Sequence, residues 1–134
     1  MKPTNTMKRY LEIARKEAQD SDFIKRHGAV LVRGGSVINK SCNSKDFSSF
    51  MNRFISRNRC RCTPQATRHA ELVCVLGLDK SVTAGATMYV VRLGHKGKFM
   101  LSKPCSLCQE VMLFTGVRKV IYTVNEHEVE QIKF

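Results

Sequence analysis

Two short segments, 36 positions apart, carry side chains that can bind a metal ion and move a proton. The first, at 69–71, reads His-Ala-Glu, and the second, at 104–108, reads Pro-Cys-Ser-Leu-Cys. One imidazole and two thiolates suit zinc, and a site with only three protein ligands keeps a position open for water, as catalytic zinc sites do. We therefore expect His69, Cys105 and Cys108 to bind Zn²⁺, and Glu71 to transfer protons.

The spacing of these residues also predicts where they lie. Cys105 and Cys108 are three positions apart, so both sulfurs project from one face of a helix. Pro104 suits the residue before such a turn, because its missing donor costs nothing there. The partial positive charge at a helix N-terminus favours the thiolate form that ligation needs.

The combination H-x-E followed by P-C-x-x-C is the signature of zinc-dependent nucleobase deaminases. On these residues the chain resembles the cytidine deaminase-like superfamily. The resemblance implies hydrolytic attack at C4 of cytosine or C6 of adenine, with Glu71 carrying the protons. It further implies that Asn43 holds a sugar hydroxyl, that the backbone of Ala70 meets the base carbonyl, and that backbone groups at Ser102 face the exocyclic amine.

Several of these positions have a second interpretation. Asn43 could instead be an ordinary turn residue, and it is followed by Ser44-Lys45, where compact nucleoside deaminases usually have Asn-x-Glu. Two further thiols, Cys60 and Cys62, could bind a second zinc together with His27, or could simply be free. A structural zinc module that joins both thiols to Cys105 and Cys108 would leave His69 and Glu71 without a role.

The charge of the chain indicates an anionic partner. Of 134 residues, 23 are Lys or Arg and 11 are Asp or Glu, for a formal net charge of +12. Such a balance favours nucleic acid or nucleotides, although excess charge can also serve solubility alone. Between residues 46 and 71 there is no acid, and four arginines there are candidate phosphate ligands: Arg57, Arg59, Arg61 and Arg68.

Length and cysteine content bound the class of protein. The chain is long enough for one domain, over residues 1–134. No apolar run approaches the roughly 20 residues that cross a bilayer, so we expect no membrane partner. Six cysteines without a secretory signal indicate a reducing compartment. The predicted location is the cytoplasm, or a host cytoplasm for a viral gene.

Hydrophobic periodicity predicts a mixed α/β domain. Helical patterns cover residues 7–19 (with Thr6 as N-cap), 47–55, 70–78 and 105–115, the last one stopped by Gly116. Strand patterns cover 29–32 and 36–39 around the Gly34-Gly35 turn, then 87–91, 119–124 and 129–134. The order predicts a three-layer α-β-α cytidine deaminase-like fold with a five-stranded mixed sheet.

The last connection bears on the substrate. Only residues 125–128 separate the last two strands, too few for a crossover helix, so the last strand should run antiparallel to its neighbour. Among relatives this arrangement resembles compact nucleoside deaminases, whereas tRNA and single-stranded-DNA deaminases have a helix and a parallel strand there. We therefore expect deamination of a (deoxy)cytidine nucleoside or nucleotide such as deoxycytidylate. The alternative is a polynucleotide deaminase acting on single-stranded DNA or tRNA. The resemblance also implies a homo-oligomer.

Overall fold

One mixed β-sheet organises the chain, and a computed structural model describes it for residues 1–47 and 67–134. The strands are β1 (Arg26–Arg33), β2 (Ser36–Cys42), β3 (Ser44–Phe47), β4 (Thr67–Arg68), β5 (Thr87–Leu93), β6 (Phe99–Met100), β7 (Lys119–Thr123) and β8 (Val129–Lys133). The helices are α1 (Asn5–Gln19), α2 (Ala70–Val75), α3 (Lys80–Thr83) and α4 (Ser106–Phe114).

The main sheet has the order β2-β1-β5-β7-β8, which confirms the predicted five-stranded arrangement. The two-residue strand β6, which the sequence did not predict, adds to it beside β5. Strands β5 and β7 are parallel, and β8 is antiparallel to β7, as the short connection required. That connection is tight because the Asn125 side chain accepts hydrogen bonds from the backbone N–H groups of His127 and Glu128, both at 2.9 Å.

The two faces of the sheet are covered by different helices, so the predicted three layers are confirmed. Alternate residues of β1 point to opposite sides: Val30 and Val32 pack with α1, whereas Ala29 and Leu31 pack with α2 and α4. This alternation follows from the two-residue period of a strand.

Helix α1 packs so closely on β1 that a glycine is required there. A Cβ atom built on Gly28 would lie 2.0 Å from the carbonyl oxygen of Ala14. The predicted N-cap at Thr6 was wrong, since the helix begins at Asn5 and the Thr4 side chain accepts from Met7 N at 3.2 Å. The prediction placed the cap beside the first apolar residue, whereas the first helical residues are polar and exposed.

Glycines with positive φ occur at a hairpin turn and after the end of helix α2. Gly34 and Gly35 have φ values of 59° and 77°, so they form the predicted hairpin turn between β1 and β2. Helix α2 was predicted to reach residue 78 but ends at Val75. Leu76 has extended backbone and Gly77 has a φ of 82°, so the chain leaves the helix and restarts at the short helix α3, capped by Asp79.

The predicted helical pattern at 47–55 meets the described chain only at its first residue. Phe47 is the last residue of β3, a strand that pairs with β4. The other positions of the pattern lie outside the described residues. Within the described ranges, no helix is long and apolar enough to cross a membrane.

Candidate functional site

Helices α2 and α4 begin next to each other, and the candidate ligands lie at these two starts. His69 is the N-cap of α2, and Cys105 is the N-cap of α4. Cys108 lies one turn further along α4 and is buried. Residues far apart in sequence therefore meet because two helices start at the same edge of the sheet.

The three predicted ligand atoms form one compact cluster. His69 Nδ1 lies 3.4 Å from the Cys108 sulfur and 3.9 Å from the Cys105 sulfur, and all three atoms lie within 4.8 Å of one another. Ligand atoms of a tetrahedral zinc, each about 2.0–2.3 Å from the ion, are separated by roughly 3.3–3.8 Å. The donor set and its spacing therefore fit a zinc ion.

A hydrogen bond between the two thiols shifts their pKa values in opposite directions. A hydrogen bond from Cys108 lowers the pKa of the Cys105 thiol to about 4, against the opposing effect of burial and with further help from His69. The same hydrogen bond, burial and the negative charge of Glu71 raise the pKa of Cys108. One sulfur is thus a thiolate at neutral pH, and binding a metal at both sulfurs would release the remaining proton.

Glu71 is a buried carboxylate beside this cluster. Its side chain belongs to the first turn of α2, and the residue is 6% exposed. The ligand cluster comprises His69, Cys105 and Cys108 and does not include it. Its charge nevertheless acts on Cys108 and on His27. Glu71 is therefore placed near the cluster and is available for proton transfer.

Ser102 joins the two parallel strands β5 and β7, which precede and follow the cysteine segment in the chain. Its hydroxyl donates to Val90 O at 2.9 Å and accepts from Thr123 N at 2.9 Å, and its own N–H donates to Thr123 O at 2.9 Å. The residue is 2% exposed. The Ser102 side chain thus anchors the approach to Pro104, and a direct substrate contact of its backbone stays a prediction.

Asn43 connects β2 to the segment that leads into β1. Its Oδ1 accepts from His27 N at 2.9 Å and from the Ser21 hydroxyl at 2.5 Å, and its Nδ2 donates to Lys25 O at 2.7 Å. A carbonyl oxygen has two lone pairs, so Oδ1 is fully used by the protein. The amide retains one N–H, through which the predicted contact to a sugar hydroxyl would have to be made.

Ala70 is fully buried at the first position of α2. The N–H group at that position has no intrahelical partner. Its contact with a base carbonyl stays a prediction.

Four predicted residues cannot be placed against this site. Arg57, Arg59 and Arg61 lie outside the described residues, and of Arg68 only the backbone, in β4, is described. Cys60 and Cys62 also lie outside the described residues, so the second zinc site with His27 stays a prediction.

A separate cavity of about 560 Å³ opens on the other side of the sheet. It lies between α1 and the connection from β7 to β8, and Leu11, Arg15, Phe99 and Glu126 are among its lining residues. None of the metal-cluster residues lines it. The cavity and the cluster are thus separated by the sheet.

Comparison with known proteins identifies the family. The sequence profile of the cytidine and deoxycytidylate deaminase zinc-binding region matches residues 4–124. The chain belongs to this deaminase family. A comparison with curated proteins found no relative.

The solved structures that are similar to the chain include the following three. The apo dCMP deaminase from cyanophage S-TIM5 has 22% identity and a TM-score of 0.60, and the match covers 92% of this chain and 86% of that one. A cytidine deaminase from Burkholderia pseudomallei has 19% identity and a TM-score of 0.66, with 98% and 93% covered. A structure from a study of tRNA:A34 deaminases has 25% identity and a TM-score of 0.53, with 86% and 74% covered. The cytidine deaminase-like fold is therefore confirmed.

Two side chains, those of His27 and Arg92, were missed by the sequence analysis. Both lie on the face of the sheet that also carries the metal cluster. The predicted strand 87–91 ends one residue before Arg92, and the sequence suggests for His27 only a role in a second zinc site. Burial lowers the pKa of His27, the charge of Glu71 opposes this, and Arg92 and His69 lower it further. Extending the alternation of Met88 and Val90 by one step would have placed Arg92 on this face.

Proposed function

We propose that the protein is a zinc-dependent deaminase that hydrolyses the cytosine of a (deoxy)cytidine nucleotide, with deoxycytidylate as the favoured substrate. The reaction consumes water and releases ammonia, leaving uracil. The observation that carries the proposal is the cluster of one imidazole nitrogen and two thiol sulfurs within 4.8 Å, beside a buried carboxylate that is not part of it.

The cluster defines what a metal would do. His69, Cys105 and Cys108 would hold Zn²⁺. A zinc-bound water has a pKa near 7, whereas water in bulk solution is far less acidic. Cys105 and Cys108 suit this role because they lie at the N-terminal end of α4. The partial positive charge of that helix end favours the thiolate form that binds zinc.

Glu71 would transfer the protons. It would take a proton from the attacking water and deliver it to the ring nitrogen of the base. It would then move the proton of the added hydroxyl group to the exocyclic amino group, which leaves as ammonia. Its burial supports this role, because a carboxylate shielded from bulk water exchanges protons with the bound reactants. The remaining N–H of Asn43, the backbone N–H of Ala70 and the backbone at Ser102 would orient the sugar and the base.

The antiparallel arrangement of the last two strands supports a small substrate. β8 is antiparallel to β7 and joined to it by a tight connection held by Asn125. The phosphate would be met by basic side chains, for which Arg57, Arg59, Arg61 and Arg68 stay candidates. We further propose one domain over residues 1–134, a homo-oligomeric assembly and a cytoplasmic location.

A polynucleotide substrate is the second candidate, and the net charge of +12 favours it. The similarity, at 25% identity, to a structure from work on tRNA:A34 deaminases supports the same reading. The base of such a single-stranded DNA or tRNA substrate would be cytosine or adenine. The two candidates differ in salt dependence, since binding that neutralises many phosphates weakens steeply as salt rises.

The zinc-loaded protein should be incubated separately with deoxycytidine, deoxycytidylate, a cytosine-containing DNA oligonucleotide and an adenine-containing tRNA anticodon stem-loop. Release of uracil or hypoxanthine is measured by chromatography. We expect the highest kcat/KM for deoxycytidylate, with little change between about 50 and 200 mM salt. Preferential turnover of a polynucleotide with a steep salt dependence would establish the second candidate. No product from any of the four would refute the deaminase proposal.

A further inference from the structure

Strands β1 and β5 carry a pair of basic side chains at the end of the sheet where the metal cluster lies. His27 and Arg92 are direct partners in the antiparallel pairing of these strands. Gly28 faces α1, as its close approach to Ala14 requires, so His27 faces the opposite side. Met88 and Val90 pack with α2 and α4, which places Arg92 on that side as well.

Both side chains are half-buried and close to the groups that would do the chemistry. His27 interacts electrostatically with Glu71, Arg92 and His69. His27 Nδ1 also lies 3.1 Å from Lys25 O. The four titratable groups therefore share one region at the starts of α2 and α4.

One nitrogen of the Arg92 guanidinium, Nε, lacks a partner inside the described part of the chain. This nitrogen is buried and makes no hydrogen bond there. None of the ion pairs among the described residues includes Arg92. A buried donor without an acceptor costs about 1–3 kcal/mol, and more when the group is charged. Buried polar groups in native proteins are normally paired, so an unpaired one indicates a functional role or an acceptor that binds there.

The missing partner should be an anion. A neutral carbonyl would satisfy one N–H but would leave the charge of the guanidinium uncompensated. Glu71, the acid in this region, is needed for proton transfer under the proposed function. A planar guanidinium matches phosphate geometry, with paired N–H donors that a lysine cannot offer.

We propose that Arg92 binds a phosphate oxygen of the substrate, which makes it a specificity-determining residue for a phosphorylated cytosine substrate. The inference rests on the proposed function and deepens it, because it names one residue for the phosphate. Arg92 lies on a regular strand within the sheet, so it is held in place before the substrate arrives. The phosphate can be the monoester of a mononucleotide or the diester of a polynucleotide backbone, since the contact has the same chemistry.

Product binding tests the inference without relying on turnover. The dissociation constants of deoxyuridine, deoxyuridine 5′-monophosphate and a short single-stranded oligonucleotide with one uracil are measured by calorimetry on the zinc-loaded protein. Arg92→Gln is compared with the parent protein. We expect Arg92→Gln to weaken binding of the monophosphate about 10- to 100-fold and to leave deoxyuridine almost unchanged. Arg92→Lys, which keeps the charge but not the paired donors, should lose less.

Arg118→Gln is the matched control. It removes the same charge from an exposed position just before β7, at the other end of the parallel strands. It should leave all three dissociation constants unchanged. Circular dichroism and thermal unfolding check that each variant is folded, and if Arg92→Gln is not, Arg92→Lys carries the comparison.

The outcomes are distinct. A loss confined to the oligonucleotide supports the phosphate contact and assigns it to a polynucleotide. Equal weakening of nucleoside and nucleotide, or no weakening, overturns the inference while the deaminase proposal stands. If the parent protein binds none of the ligands and releases no ammonia from any cytosine substrate, the proposed function fails and this inference fails with it.

Discussion

Two arginines at the same edge of the sheet, on opposite faces, differ in how completely the protein satisfies them. Arg15, on the α1 face, donates to Gly97 O at 2.5 Å and to Glu126 at 3.1 Å, and its guanidinium lies 3.8 Å from the centre of the Phe99 ring. Arg92, on the α2 and α4 face, has a buried Nε without a partner among the described residues. Arg15 is thus fully paired within the fold, whereas Arg92, the proposed phosphate ligand, keeps one nitrogen unpaired among the described residues.

The same contrast extends to the two faces as a whole. The α1 face is held by apolar packing, with Tyr10, Leu11 and Ala14 against the strands. The opposite face has a comparable apolar core, but α2 and α4 add His69, Glu71 and the two cysteines at one end of it. Both faces stabilise the fold, and among the described residues the metal-ligand cluster lies on the α2 and α4 face.

The largest expected effect is that of removing a metal ligand, which should abolish zinc binding and deamination. Cys108→Ala removes one of three ligands, so we expect loss of bound zinc and of detectable deamination. The matched control is Cys74→Ala, on α2 of the same face. Burial raises the pKa of the Cys74 thiol to about 12, and its sulfur contacts Ala29 O at 3.4 Å instead of the cluster. Metal analysis per folded chain distinguishes them, and a full zinc content in Cys108→Ala would contradict the proposed ligand set.

Glu71→Gln should lower kcat by about 100- to 10,000-fold while zinc content and fold persist. The amide keeps the shape of the side chain but cannot carry a proton between reactants. Steady-state kinetics and metal analysis are measured on the same preparation. Normal turnover would assign the proton transfer to another group, and loss of zinc would instead make Glu71 a ligand.

The same substitution, Leu→Ala, at one buried position on each face compares the two faces directly. Leu11→Ala on α1 and Leu107→Ala on α4 each remove a buried side chain, 2% and 0% exposed, and each should lower the free energy of unfolding by about 2–5 kcal/mol. Only Leu107→Ala, between the two cysteines, should also weaken zinc binding. Denaturant unfolding and zinc titration measure both effects. Equal loss of zinc affinity in Leu11→Ala would remove the distinction between the faces.

The smallest effect should come from Glu126, the partner of Arg15. Burial alone would raise the pKa of Glu126, but hydrogen bonds from Phe99 N and Arg15 lower it from the usual 4.5. A lowered pKa in the folded state stabilises the protein above about pH 4.5, and this contribution is lost as the pH falls through the folded-state pKa. Glu126→Gln should therefore cost about 1 kcal/mol at neutral pH and much less at acidic pH. An equal cost at both pH values would show that the charge is not involved.

Much of the fold was predictable because its signals are local. The Gly34-Gly35 turn, the end of α4 at Gly116 and the antiparallel last strand each depend on a few consecutive residues. The end of α2 was not predicted, because the apolar pattern continues through Leu76 although the backbone departs from the helix there. Strand β6 escaped prediction because two residues carry no periodicity.

The residues that form the candidate metal cluster could be predicted from the sequence alone. The His-x-Glu and Pro-Cys-x-x-Cys spacings place side chains on single helical turns, and the order of strands and helices brings those turns together. The contacts between distant segments, in contrast, could be read only from the folded chain: the oxygen of Asn43 is already used by His27 and Ser21, and the Nε of Arg92 has no partner among the described residues. Whether a polar group is satisfied depends on atoms supplied by distant segments, and no spacing along one segment records that.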